Sequence, residues 1–395
     1  VPPTARKLAA GPCTGAERSR SSKSPPPRVL AWTAAVLALV VVGTLLWRGS
    51  DAAATTSTTA APADVPGGTP AGAVSASWEA ATTATGGAAR SAVDGGRVVV
   101  GDRHGVRALD VGTGVQAWRY TRANARLCDW TLAGGRVVAA FATEDRCDEA
   151  VALSVDTGVR AWTRNLDLRP DVVLSATDGV VLAASPTGVL TVDPLGNTTR
   201  WRAAPDEGCT VEDAGVGGAG VAVLQRCTDG ARLRLLDGYD GTEVWTRDVA
   251  AGATLAGVEE AVVVAGDDGV QLLAAADGAP LGAPVADAAQ ALVGGVGATA
   301  LVWAAGELLA VDADTGAVAW RTPATGLPTG AVDRALLPAG TPVPVPEGDA
   351  VVLRDLATGE ELQRVDAPDL GGGGLVTVTG PVVVQQFPDR VLAHA

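Results

Sequence analysis

The residues able to do chemistry in this chain are few and scattered. His104, in the turn "DRHG", and His394, beside the last residue, are the only imidazoles. Neither has an identifiable nucleophile partner, so a hydrolase built on a histidine base finds no support. The densest oxygen-bearing stretch is "VDADTGAVAWRT", residues 311–322, where Asp312 and Asp314 are spaced as in a calcium loop. Such a loop needs a ladder of oxygen ligands closed by a bidentate acid. After Gly316 the chain reads "AVAWRT", which supplies none. Five cysteines with two histidines and no C-x-x-C spacing make a poor zinc set. "NTT" at Asn197 is a glycosylation sequon by pattern alone. No catalytic, cofactor-binding or metal-binding residue is assigned from the sequence, and the reading is of a protein that is not an enzyme.

The elements that would position such residues come next. Of 395 residues, 47% are hydrophobic and 50 are glycine, enough for a large core. The formal charge of −14 is uneven: residues 1–28 carry six basic residues against Glu17, about +5, which leaves about −19 for the rest. An acidic body argues against nucleic acid, whose phosphates need clustered Lys and Arg.

Residues 29–47, "VLAWTAAVLALVVVGTLLW", contain no charge and end near Trp32 and Trp47, the pattern of a membrane-spanning helix. The basic segment 1–28 reads as a disordered cytoplasmic tail, which puts the C-terminal body outside the cytoplasm. A cleaved signal peptide is the alternative, because small residues follow, but nineteen residues exceed the usual apolar core of one. The reading is therefore a retained signal anchor. Residues 48–73, rich in Ala, Thr, Pro and Gly, read as a disordered tether reaching on the order of 25–30 Å.

The opening phrase recurs along the chain. "LDVGTGVQAW" ends at Trp118, "LSVDTGVRAW" at Trp162, "VDPLGNTTRW" at Trp201, "LDGYDGTEVW" at Trp245 and "VDADTGAVAW" at Trp320. Degenerate copies place Gly282 and Gln363 at the Trp position. The landmarks lie 44, 39, 44, 37, 38 and 43 residues apart, and Trp78 is in phase 40 residues before Trp118. Each unit reads as short apolar runs broken by Gly and Asp, four antiparallel strands per ~40 residues, which is a propeller blade. Gly114, Gly158 and Gly316 are expected to supply the positive φ of a turn, Asp and Thr to bond its backbone, and the Trp to pack on the adjoining blade.

These units resemble the pyrroloquinoline-quinone (PQQ)-like β-propeller repeat, roughly "lyALDaxTGxxxW", over residues 74–395. The resemblance implies an all-β ring and says little about function, since the family includes quinoprotein alcohol dehydrogenases, an outer-membrane assembly lipoprotein and many anchored bacterial proteins. Strand pairs beginning near Arg97, Arg136, Val180, Val221, Ala261, Ala300, Thr341 and Pro381 predict eight blades, with seven as the alternative if the weak unit 331–363 is an insertion. Residues 74–79, around Trp78, are expected to complete the last blade and close the ring. In "TPVPVP", Pro342, Pro344 and Pro346 recur with period 2, so all three missing N–H groups face one neighbour, and that strand pair is expected to be weak or absent.

Outside the cytoplasm, cysteines pair. Cys128 with Cys147 and Cys209 with Cys227 are each expected to bridge the first two strands of one blade, the second across the hairpin centred at Gly218, while Cys147 falls in the loop after its strand. Quinoprotein dehydrogenases, by the resemblance, sandwich the quinone between a Trp and a disulfide of adjacent cysteines, with calcium ligands and an aspartate base. This chain has no adjacent cysteines, and Trp130 and Trp303, which are out of repeat phase, read as packing. The functional expectation is a membrane-anchored, extracytoplasmic, non-catalytic binding or scaffold module, without cofactor, for a cell-envelope protein or ligand. A quinoprotein-type oxidoreductase using PQQ and calcium is the alternative.

Overall fold

The computed structural model describes residues 27–143, 146–168, 171–285, 291–329 and 340–395; the basic tail with Cys13, and residues 330–339 of the weak repeat, lie outside them. The chain divides into two units, residues 1–53 and 54–395. In the first, Pro27–Arg48 is a helix of 22 residues. Its stretch Ala31–Arg48 is long and apolar enough to cross a membrane.

The second unit is an all-β ring of eight sheets. Blade 1 is built from Ser91–Asp94, Arg97–Asp102, Gly105–Asp110 and Gln116–Arg122. Blade 2 runs Arg126–Ala133, Arg136–Thr143, Arg146–Ser154 and Arg160–Asn165. Blades 3, 4 and 6 repeat this four-stranded antiparallel order. Eight blades, not seven, are present, and the second strands begin within one residue of the positions expected.

Alternation along each strand explains the packing. Val98 and Val100 face one neighbour while Val99 faces the other. Eight apolar clusters result, one at every interface between adjacent blades, including blade 8 against blade 1. The last interface exists because Ala76–Ala81 pairs antiparallel with Arg390–His394 and supplies the outer strand of blade 8. First and last segments thus share one sheet, and no terminal sheet edge opens at the closure.

Two blades depart from four strands, each for a readable reason. In blade 5, Gly269–Leu273 is the last strand of the sheet, and the Pro280 and Gly282 region adds only partial pairing, with Leu281 and Val285 donating to Leu272 and Val270. In blade 7, Pro342–Glu347 pairs with Ala350–Asp355 through one edge only. The prolines present no N–H on the other edge. Leu327–Pro328, which would complete blade 7, instead pairs in parallel with Leu375 and Val376 on the inner edge of blade 8.

The segment expected to be a disordered tether follows the propeller. Thr55–Thr58 forms a fifth strand on blade 1 against residues 119–122. Beyond it, Ala60 donates to Thr157 in blade 2 at 2.9 Å and Arg97 donates to Ala61 at 2.9 Å. Pro66 packs on Gly380 of blade 8. Asp366 of blade 7 donates to Gly72 and accepts from Val74. Composition misleads here because an edge strand and a surface strap need backbone bonds and small side chains rather than a core. Ala63 fits against Gly96, where a Cβ would collide.

Candidate functional site at the mouth of the ring

The repeated Asp-Thr-Gly turn is built as a joint. In blade 6, the Asp312 carboxylate accepts from the Asp314 and Thr315 N–H groups at 3.2 and 2.8 Å and from the Thr315 hydroxyl at 2.6 Å. These bonds, the Thr315 hydroxyl first, hold its carboxyl below the usual carboxylate range. Asp110 and Asp355 bond Thr113 and Thr358 in the same way. The carboxylates are therefore committed to their own turns.

The six in-phase tryptophans reach across blade boundaries. Trp78, Trp118, Trp162, Trp201, Trp245 and Trp320 donate their indole N–H to backbone carbonyls of the next blade's turn, at 2.7–3.1 Å. The acceptors are Val111, Val155, Pro194, Gly238, Ala275 and Leu356. Gly114 and Gly158 combine positive φ (67° and 71°) with a Cα pressed on Trp78 and Trp118, so any side chain there would enter the ring. Gly316 has the same conformation but meets Leu281, because blade 5 lacks its Trp. In blade 3 Asn197 takes the left-handed position, φ 52°, so the sequon asparagine is a turn residue.

Both disulfides form. Cys209 and Cys227 face each other on the first two strands of blade 4. Cys147 is not in a loop after the second strand: it lies in the third strand of blade 2, and Cys128 sits at a bulge in the first. Arg146 already pairs with Thr143 of the second strand, so the third strand has begun before Cys147. Beside this bridge is a cavity of about 260 Å³, lined in part by Arg126 and Asp129. Asp129 is buried and joins three blades, accepting from Arg90 and Leu174 at 2.6 Å each and from Trp130 at 2.8 Å.

The remaining candidates are not brought together. His104 contacts the Ala125 carbonyl through Nδ1 at 2.7 Å. His394 is buried in the last strand of blade 8, and burial pushes its imidazole below the usual value. Trp130 donates to Ala88 and Trp303 to Ala324. The residues present do not fit a quinone site: the cysteines bridge over 19 and 18 residues, and Trp130 is wholly buried. Among the described residues no three His, Cys, Asp or Glu side chains are grouped to hold a metal.

A further concavity lies outside the residues singled out from the sequence. Because strands alternate in direction, the first-to-second and third-to-fourth turns of every blade lie on one face of the ring. There, turns from blades 1 to 5 enclose about 800 Å³, lined by Asp94, Asp178, Asp237, Glu260 and Tyr239 among others. Acids and glycines alternate around it: Asp94 in blade 1, Gly134 and Gly135 in blade 2, Asp178 in blade 3, Gly218 in blade 4 and Glu260 in blade 5. The glycines make the acids fit, since a side chain at Gly218 would collide with the Glu260 carboxylate. Burial, then the charges of Asp178 and Asp156, hold the Asp94 carboxyl above its usual range. A sequence signal for this site does exist, in the acid placed at the first turn of alternate repeats. It becomes a site only when the ring brings turns more than 160 residues apart to one mouth.

Comparison with known proteins agrees with this architecture. A PQQ-type family model described as "Outer membrane protein assembly factor BamB" matches residues 42–204. No curated protein matches the chain. Among solved structures, BamB from Moraxella catarrhalis is 16% identical, covering 81% of this chain and 99% of its own, with a TM-score of 0.47. The computationally designed Ika8 protein is 14% identical over 85% and 99%, with a TM-score of 0.50. The quinohemoprotein alcohol dehydrogenase ADHIIG from Pseudomonas putida HK5 is 13% identical over 82% and 76%, with a TM-score of 0.48. The chain is an eight-bladed β-propeller, and its residues 42–204 match the PQQ-type family model.

Proposed function

We propose that this protein is a membrane-anchored, extracytoplasmic, non-catalytic binding module, which uses one face of its propeller to hold a cell-envelope protein. The observation that carries this reading is the cavity of about 800 Å³ at the mouth of the ring, assembled from turns of five blades. A pocket of this size, built on a rigid scaffold, is what recognition requires. The apolar helix and the two disulfides support an anchored position in an oxidising compartment. The matching family description names an assembly factor, which favours a scaffold over a catalyst.

Adding PQQ and calcium to the purified protein tests the reading against the oxidoreductase alternative. The expected outcome is no change in absorbance and no rise in unfolding temperature, because a ligand that binds only the native state must stabilise it. Stabilisation by PQQ with calcium would overturn the non-catalytic reading.

A further inference from the structure

Three features of the mouth face converge on one kind of occupant. The cavity has four lining carboxylates, Asp94, Asp178, Asp237 and Glu260, and no lining Lys or Arg; Asp237 accepts from the Tyr239 and Asp240 N–H groups, and Arg200, paired with Asp193, lies over the Tyr239 ring at 4.9 Å. On the same face of the ring, on the third-to-fourth turns of blades 2, 3 and 4, Val159, Leu195 and Tyr239 are 52%, 63% and 61% exposed. Tyr239 is one of only two tyrosines, and it forms part of the cavity wall. The strap formed by residues 60–74 contacts blades 7, 8, 1 and 2 and contributes nothing to the cavity lining.

We infer that this mouth docks a Lys- or Arg-bearing segment of a protein partner, its cationic side chains entering the acidic cavity and its apolar neighbours resting on Tyr239, Leu195 and Val159. The inference rests on the scaffold reading above and names the chemistry of its partner. Electrostatics choose the sign: four carboxylates line one cavity, the charge of Asp178 acts unfavourably on Asp94, and a cation entering the cavity relieves that repulsion. The apolar rim supplies anchoring area, with Tyr239 in the role that exposed aromatics take at interface hot spots. The raised carboxyl of Asp94 agrees with this, since a group held in an unfavourable charged state by the empty fold gains most from a cationic partner.

The test uses the full-length protein in nanodiscs and a fluorescent Lys-Leu-Arg-Leu-Lys peptide, with Glu-Leu-Glu-Leu-Glu as its counterpart. Binding of the basic peptide is expected to weaken at least about 30-fold in an Asp94→Asn, Asp178→Asn, Glu260→Gln variant and about tenfold in Tyr239→Ala. A charge-matched control, Asp267→Asn, Asp268→Asn, Glu307→Gln, removes exposed acids from turns of the opposite face and is expected to leave binding unchanged. The mouth variant is also expected to unfold at the same or a higher temperature than the parent, so lost binding is not lost folding. Equal weakening by both triple variants reduces the effect to net charge and overturns the inference. So does absence of basic-peptide binding, or equal binding of the acidic peptide. Those failures leave the scaffold reading itself standing, because PQQ addition and membrane crosslinking test it separately.

Discussion

The indole N–H of Trp118 donates to the Val155 carbonyl at 2.7 Å, across the boundary between blades 1 and 2. The same ring covers Gly158, where a Cβ would stand 2.6 Å from its nearest ring atom. One hydrogen bond and one missing side chain therefore join neighbouring blades, and the pattern recurs around the ring. Trp118→Phe should cost about 1–2 kcal/mol by leaving a buried carbonyl unpaired. Gly158→Ala should cost about 2 kcal/mol or more, from its positive φ and the collision. Gly112→Ala in the corresponding turn of blade 1 meets nothing closer than 3.6 Å and should be nearly neutral. Urea unfolding of the three variants gives the comparison.

The turn aspartates make stability depend on pH. Asp312 has a folded-state carboxyl below its ordinary value because its turn donates to the charged form. Its contribution is complete above the unfolded value near 4 and is lost as pH falls through the lower folded value. Asp193 and Asp355 are lowered by their own turns. Unfolding temperature should therefore fall steeply below about pH 4. The fall should be shallower in Asp312→Asn, which keeps an acceptor oxygen but does not titrate.

The strap gives the N-terminal segment a load to bear. Replacing residues 55–73 with a Gly/Ser stretch of equal length should lower the unfolding temperature and open the segment to protease. A passive tether would show neither change. Here composition failed as a guide. Small polar residues argue against a core, but they do not argue against an edge strand such as Thr55–Thr58, whose bonds are all backbone.

Blade 7 separates two proline effects. Val345 faces Ala350–Asp355 with its N–H, so Val345→Pro should cost about 3 kcal/mol or more. Pro344→Val restores a donor on the edge that Leu327–Pro328 has left, and should change stability little. Thermal unfolding of both variants checks the contrast.

The architecture was legible because it repeats. Trp78 and the phase of the later tryptophans pointed to the closing strand, and Pro342, Pro344 and Pro346 pointed to the broken inner pair. Cys147 was misplaced by one strand because hairpin length is set by local turn geometry, which periodicity does not report. The mouth stayed hidden for a different reason. Asp94, Asp178 and Glu260 are unremarkable exposed or half-buried turn acids, and only the ring's closure makes them neighbours of one cavity.

The central claim is that the mouth face is where this protein meets its partner. A photo-crosslinking residue at position 195, beside the mouth, and the same residue at position 268, on the opposite face, can be compared in the full-length protein in its own membrane. The account predicts a discrete crosslinked protein from position 195 that is lost when Asp94, Asp178 and Glu260 are neutralised, with none from position 268. Capture from position 268 alone, or capture from 195 that survives neutralisation of the mouth, would contradict it.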